Sequence, residues 1–208
     1  MSQRQILENS INLLNTLRGP AKILYGPSGL PMPVALAQVI NPTTGAPATG
    51  WIPLGLTRGG INVNKNLTIA VRDDVDQILG AYDQDITDRS YAITTQLAEV
   101  LDAAQLNVAW ETGTATVVST TGATQVMTLL DDGDNKTTER RWAVVFPKQA
   151  DGKVYAFVFR RGALSSGDKT FRFDKNDPAS PALDLRFFPE IATTIPAEDA
   201  YGRIYDIT

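Results

Sequence analysis

The segment of this chain that comes closest to a known chemical motif spans residues 162–170. It consists of Gly162-Ala163-Leu164-Ser165-Ser166-Gly167-Asp168-Lys169-Thr170, close to the phosphate-binding loop of nucleotide-binding proteins. Asp168 stands between the second glycine and the lysine, where its carboxylate would repel phosphate oxygens. The motif also needs a helix N-terminus to bind the anion, whereas Phe171-Arg172-Phe173 has the pattern of a strand. We interpret the segment as a polar hairpin loop.

The chain contains no histidine and no cysteine. Histidine is the commonest general base and metal ligand near neutral pH, and cysteine supplies thiolate ligands, nucleophiles and disulfides. Serine–histidine triads, cysteine–histidine dyads and histidine-ligated zinc are therefore excluded. Catalysis would have to rely on carboxylates, lysine, tyrosine or a lone serine. The sequence predicts a protein that is not an enzyme and that uses no cofactor or metal.

Acidic residues form a group in the first half of the chain that comprises Asp73, Asp74, Asp76, Asp83, Asp85 and Asp88. Their spacing lacks the glycine and glutamate that an EF-hand calcium loop requires. The segment 132–135 is equally incomplete, and its Asp, Gly and Asn residues favour turns. Paired carboxylates also catalyse glycoside hydrolysis, but nothing in the sequence places two of them across a cleft. Solvated turns are the preferred interpretation.

The elements around these residues indicate three regions within 208 residues. Residues 1–20 form an N-terminal helical arm, residues 21–50 a Pro/Gly-rich loop region expected on the surface, and residues 51–208 a β domain. The arm's helix is predicted at 3–18, with an apolar face that includes Ile6, Leu7, Ile11 and Leu14. This face packs either on the domain's own core or on a neighbouring subunit, and the sequence leaves both open.

Alternating apolar residues predict several antiparallel strands in the β domain. Leu67, Ile69 and Val71 mark one half-buried strand, and others are expected at 91–94, 124–130, 142–146, 154–160 and 183–188. Asp151-Gly152 predicts a hairpin between the strands at 142–146 and 154–160. Residues 154–159 are apolar on both faces, which indicates a strand covered on both sides. A single helix is predicted from Leu97 to Val108, with Thr95 as a possible N-cap.

The stretch from Trp51 to Trp110 resembles the tail tube (major tail) proteins of long-tailed bacteriophages. It contains Trp51-Ile52-Pro53-Leu54-Gly55-Leu56-Thr57-Arg58-Gly59-Gly60, a strand, and then Val75-Asp76-Gln77-Ile78-Leu79-Gly80. A second strand at 91–94 and the helical Leu97-Ala98-Glu99-Val100-Leu101 follow. The family has the same order of pieces. The resemblance covers just over a quarter of the chain and excludes the region before Trp51.

The resemblance implies a mainly β fold, an antiparallel β-sandwich or half-barrel with one flanking α-helix. It also implies rings, usually hexameric, that stack into a tube, together with partners such as tape measure and terminator proteins. Genomic DNA would pass through the channel without specific binding. The protein would be part of the virion tail, assembled in the bacterial host cytoplasm. By analogy, an inter-ring contact loop would include Asp73, Asp74, Asp76, Gln77, Asp83 and Asp85.

The charge balance agrees with this expectation. The net charge is −4, whereas a protein that grips phosphates usually carries a basic surface. No apolar run approaches the ~20 residues that span a bilayer, so no membrane binding is expected. The alternatives are another tail component of related fold, such as a terminator or the inner tube of a contractile system, and a β-sandwich module that binds glycans. A carboxylate-based hydrolase is the third.

Overall fold

The computed structural model describes residues 21–55, 57–72, 83–97, 107–109, 116–117, 125–126, 137–147, 154–165 and 182–206. The predicted helix at 3–18 lies outside these residues, as does the strand predicted at 171–173. Strands β1 to β10 of the described part are Lys22–Pro27, Ile52–Pro53, Thr57–Arg72, Asp83–Leu97, Thr116–Val117, Gln125–Val126, Arg140–Pro147, Val154–Leu164, Ala182–Phe188 and Gly202–Asp206. Short 3-10 helices occupy Leu36–Gln38 and Ala197–Asp199.

The protein is mainly β, and its antiparallel sheet curls into a half-barrel. Seven strands follow the order β2-β1-β7-β8-β9-β4-β3, and β10 pairs with β8 as the eighth strand of the same sheet. β5 and β6 pair separately with each other. The predicted strands at 142–146, 154–160 and 183–188 are confirmed as parts of β7, β8 and β9. The predicted hairpin is confirmed by the antiparallel pairing of β7 with β8.

The sheet branches at β8. One edge of β8 pairs with β7 from residue 154 to residue 162. The other edge pairs with β10 over 155–159 and then with β9 over 161–164. The other edge of β9 pairs with residues 91–96 of β4 and with no more of that strand. Beyond the end of β9, the sheet therefore divides into a β8–β10 branch and a β4–β3 branch.

The first face of the sheet carries the main hydrophobic core. Trp142, Ile93, Leu185 and Phe187 are essentially fully buried there. Trp142 also donates a hydrogen bond from Nε1 to the carbonyl oxygen of Gly162 at 3.0 Å. The largest buried side chain is thus both packed and satisfied in its polar atom, which is what burial of a polar group requires.

In the described part of the chain, the second face carries a smaller core over β1, β7 and β8, against which Tyr205 of β10 also packs. Side chains such as Ala143 and Val158 contribute to it. Residues between β1 and β2 cover them, including the buried Leu36, Val39 and Trp51. The prediction that residues 154–159 are covered on both faces is therefore confirmed.

The predicted loop region at 21–50 is wrong in two respects. Residues 22–27 form β1, which lies inside the sheet between β2 and β7. The remainder folds back onto the second face of its own sheet instead of projecting from the surface. The alternation that identifies a half-buried strand is missing from Ile23-Leu24-Tyr25, because both faces of β1 are buried. Within the remainder of this region, Leu36–Gln38 form a short 3-10 helix.

The predicted helix starts too early. Leu97 is the last residue of β4. Thr95 lies inside the same strand, where its hydroxyl donates to the carbonyl oxygen of Gly60 at 2.7 Å and caps no helix. Residues 107–109 are helical, and Val108 and Ala109 are buried in the main core.

Within the part of the chain that the structure describes, no helix has the length and apolar character needed to cross a bilayer.

Candidate functional site

The β3–β4 hairpin projects beyond the strand that covers it. β4 pairs with β3 from Asp83 to Leu97 but with β9 only over 91–96. In the described ranges, residues 66–72 and 83–90 pair only with each other, and we call these two segments the ribbon. At a rise of about 3.3 Å per residue the ribbon extends roughly 20 Å from the sheet. It is therefore available to reach another molecule.

One face of the ribbon carries four exposed apolar residues, with Arg89 opposite Leu67 in register. These residues are Leu67, Ile69, Val71 and Ile86, each 44–50% exposed. They lie on the same side of the sheet as Ile61 and Val63, which pack against the main core, and Lys65 separates the two groups along β3. The half-buried strand predicted from Leu67, Ile69 and Val71 is thus a strand, but its apolar side chains lie outside the core. Contiguous exposed apolar rows of this kind mark interaction surfaces.

The opposite face of the ribbon carries acidic residues. Asp85 lies opposite Ala70 and Asp88 opposite Thr68. Thr87 is an extra residue in β4 at a β-bulge, and its hydroxyl donates to the carbonyl oxygen of Thr68 at 3.2 Å. The bulge puts Asp85 and Asp88 on one face although their odd spacing would otherwise separate them. The ribbon is therefore amphipathic, with an apolar and an acidic face.

The outer edge of β3 has no neighbouring strand among the residues that the structure describes. β3 is 16 residues long, and no proline occurs between residues 57 and 72. A β-bulge at Gly59 and Gly60 distorts only its first part. Natural sheets usually blunt such edges with prolines, short strands or covering loops. A long, largely regular edge beside an apolar row therefore favours pairing with a strand from another chain.

Among the residues that the structure describes, none covers the second face on the β9–β4–β3 side. Asn62, Asn64 and Gln96 are exposed there, and Thr94 lies between Asn62 and Asp184 in register. A shallow depression of about 360 Å³ lies on this face. It is lined by amide and hydroxyl groups together with Arg58 and Asp184, so it offers both uncharged and charged hydrogen-bonding groups to water or to a polar partner. We call it the open face.

An ion-pair network fixes the C-terminal segment 189–206, which we call the strap, to β8. The buried Arg160 guanidinium contacts Asp199 Oδ2 at 3.1 Å and Glu190 Oε2 at 3.2 Å. Its Nε donates to the carbonyl oxygen of Asp199 at 2.7 Å. Arg203 also pairs with Asp199. Hydrogen bonds from Arg203 and then Arg160 hold the pKa of Asp199 below its ordinary value.

A second buried arginine extends the network towards the covered half of the sheet. Arg141 lies 3.7 Å from Glu190 and donates to the carbonyl oxygens of Leu30 and Ser28. Burial lowers the pKa of Arg141, and the charge of Glu190 offsets part of that effect. Buried charges with this many partners hold segments together. The network therefore serves the fold, since it joins the strap, β7 and the segment after β1.

The predicted contact loop is only partly described. Asp73, Asp74, Asp76 and Gln77 lie outside the described residues. Asp83 and Asp85 belong to β4, so the prediction that they lie in a loop is wrong. The cause is that β4 is longer than its apolar pattern suggests, because acidic residues alternate through its exposed end. The arm residues Ile6, Leu7, Ile11 and Leu14 also lie outside the described part.

The near-match to a phosphate-binding loop has no such geometry where it is described. Residues 162–164 are strand, and Gly162 pairs with Arg140 on one side and Phe187 on the other. A backbone committed to two neighbouring strands cannot cradle phosphate oxygens. Across the described ranges, no group of three acidic side chains is placed to hold a metal ion. The geometry of the described segments therefore supports neither phosphate binding at residues 162–164 nor a metal site.

Sequence reasoning missed the strap and the strand β10. The apolar and aromatic residues Tyr201, Ile204 and Tyr205 alternate irregularly with Gly202 and Arg203, a weak pattern for a strand. In the sequence, the arginine pairs 140–141 and 160–161 stand out only as short basic tracts. Because these arginines adjoin apolar strands, they indicate that carboxylates from another part of the chain pair with them.

The chain was compared with known proteins. No protein-family model matches it, and no curated protein sequence matches it significantly. The geometry of the ribbon, the β3 edge and the open face must therefore support any functional conclusion.

Proposed function

We propose that this chain is a structural subunit that assembles with copies of itself into a tail tube of the bacteriophage type. The observation that carries the proposal is the ribbon, whose apolar row is exposed beside the uncovered edge of β3. Edge strands and apolar rows of this size are normally protected in a protein that functions alone. Assembly would cover both at once. Such contacts join different surfaces of identical subunits, and they close into rings or stack into filaments.

The open face suits the wall of a channel. Its exposed residues include the uncharged Asn62, Asn64 and Gln96 as well as Arg58 and Arg186, and Asp184 lies on the same face. A uniformly basic wall would bind phosphates through counterion release, whereas a mainly uncharged wall that carries both signs of charge would bind duplex DNA less tightly. In this proposal β3 and β4 of each subunit join neighbouring sheets with the open face towards the channel. The ring symmetry and the further partners follow from the resemblance, which implies hexamers and partners such as tape measure and terminator proteins.

Electron microscopy and sedimentation of the purified full-length protein test this function. We expect rings or tubes with a central channel. Ile69→Lys should abolish them, because a charge in the apolar row would be buried in the contact. Ala70→Lys is the matched control, since it adds the same charge to the neighbouring position on the opposite face of β3. It should leave assembly largely intact.

Three results would contradict the proposal. A wild-type protein that stays monomeric at high concentration and binds sugars would favour the glycan-binding alternative. Rings that never stack would favour another tail component of related fold. Equal loss of assembly in both lysine variants would show that the apolar row is not the contact.

A further inference from the structure

The strap begins where the sheet divides into its two branches. The backbone N–H of Arg160 donates to the carbonyl oxygen of Tyr201 at 2.9 Å, and the N–H of Glu190 donates to that of Ala200 at 2.8 Å. Together with the ion pairs of Arg160, these bonds fix the position of Tyr201 relative to β8. The main chain of Tyr201 is thus held in place close to the residues at which the ribbon leaves the sheet.

The Tyr201 side chain crosses from this base to the ribbon. Its hydroxyl donates a hydrogen bond to the carbonyl oxygen of Arg89, which lies just beyond the part of β4 that β9 covers. Its ring packs against the ring of Tyr91, with centroids 5.0 Å apart. Tyr91 in turn packs against Phe159 of β8, with centroids 6.0 Å apart. A chain of three aromatic rings therefore joins the two branches at their point of division.

The hydroxyl keeps its proton under ordinary conditions. Burial raises the pKa of Tyr201 above its usual value, and the charge of Asp88 raises it further. Tyr201 is therefore a donor throughout the neutral and mildly alkaline range. The accepting carbonyl is a main-chain group, so this contact depends on the position of β4 and not on any side chain of the ribbon.

A second tyrosine at the other end of β10 makes an equivalent bond in a different direction. The Tyr205 hydroxyl donates to the carbonyl oxygen of Pro33, in the segment that covers the second face. Tyr205 and Tyr201 thus share their chemistry, and both act on main-chain carbonyls. They differ in what they hold, since only Tyr201 contacts the ribbon.

We propose that Tyr201 is a positioning residue that sets the direction in which the ribbon leaves the sheet. A two-stranded ribbon is marginally stable and mobile when it is not braced. The contact at Arg89 braces it at its base, where a small rotation produces a large displacement of the tip. Its consequence for assembly rests on the proposed function, but the bracing itself does not.

Amide hydrogen exchange on the full-length protein, kept monomeric by low concentration, tests the bracing. Tyr201→Phe removes the hydroxyl and keeps the ring. Exchange of the ribbon amides at 66–72 and 83–90 should accelerate about three- to tenfold, the change that corresponds to loss of one typical hydrogen bond. Tyr205→Phe is the matched control and should leave ribbon exchange unchanged. Tyr201→Ala, which also removes the ring, should accelerate it further.

Assembly provides a separate readout. If the proposed function holds, Tyr201→Phe should slow tube formation while leaving the melting temperature close to that of Tyr205→Phe. Faster ribbon exchange in a protein whose wild type forms no tubes supports the bracing and contradicts the proposed function. Unchanged ribbon exchange in Tyr201→Phe, or an equal increase in Tyr205→Phe, overturns the bracing whether or not tubes form.

Discussion

The two halves of the sheet differ in how their faces are covered. On the β1–β7–β8 side, both faces are covered, one by the main core and the other by the segment between β1 and β2. On the β9–β4–β3 side, the described residues cover the first face alone, and they leave the apolar side chains of the ribbon about half exposed. Both halves belong to one continuous sheet. The covered half has what a stable fold requires, whereas the other half leaves an edge and an apolar row available to a partner.

This difference separates stability from association. A residue in the covered half loses its packing partners when it is truncated, and the folded state has to absorb the loss. A residue in the ribbon has few partners within the subunit, so its truncation costs the subunit little. If the exposed row were instead an unimportant surface irregularity, neither stability nor association would respond to its removal. Paired substitutions across the two halves distinguish these cases.

The largest expected effect is that of Trp142→Ala. Trp142 is fully buried and hydrogen-bonded to Gly162, and truncation of a buried Trp typically costs about 3–5 kcal/mol. Ile69→Ala in the ribbon should cost less than about 1 kcal/mol, because Ile69 is already half exposed. Equilibrium urea unfolding measures both. Similar losses in the two variants would show that the ribbon is packed in the free subunit and would remove the contrast between the halves.

A second contrast uses two glycines. A Cβ at Gly162 would lie 2.5 Å from the ring of Phe187 and 2.7 Å from that of Trp142, so Gly162→Ala should destabilise the protein by about 1–3 kcal/mol through overpacking. A Cβ at Gly60 meets no atom within 4 Å, but the φ of Gly60 is +89°. Gly60→Ala should cost about 1–2 kcal/mol for backbone conformation alone. A larger urea-midpoint shift for Gly60→Ala would contradict this ranking.

The sequence predicted the covered half better than the open half for a physical reason. Residues 154–159 are apolar on both faces because both are buried, and that pattern is visible without a structure. The alternation at Leu67, Ile69 and Val71 also predicted a strand correctly. It could not show that the strand extends beyond the segments that cover it. An apolar row that packs against a neighbouring subunit has the same sequence pattern as one that packs against the subunit's own core.

The candidate site was harder to predict than the fold because it depends on pairing between distant segments. The ribbon exists because β9 ends at Phe188 while β4 and β3 continue, and no local pattern encodes that difference in length. Asp85 was expected in a loop since charged residues resemble turns in the sequence. The Tyr201–Arg89 contact joins residues 112 positions apart through a main-chain carbonyl, which leaves no compositional trace.

The smallest effect concerns the ion pairs that fix the strap to the covered half. The folded-state pKa of Asp199 is lowered by Arg203 and Arg160. Its contribution to stability is therefore present above the unfolded carboxyl value of 3.8 and is lost as the pH falls through the lower folded value. Asp199→Asn should melt a few degrees, roughly 2–4 °C, below the wild type at pH of about 6. At a pH of about 2.5 the gap should narrow, because the wild-type carboxylate is then increasingly protonated. Thermal melts at both pH values measure the difference in melting temperature. A difference that stays constant or widens on acidification would mean that the Asp199 carboxylate does not stabilise the strap. The covered half would then hold the strap by packing alone.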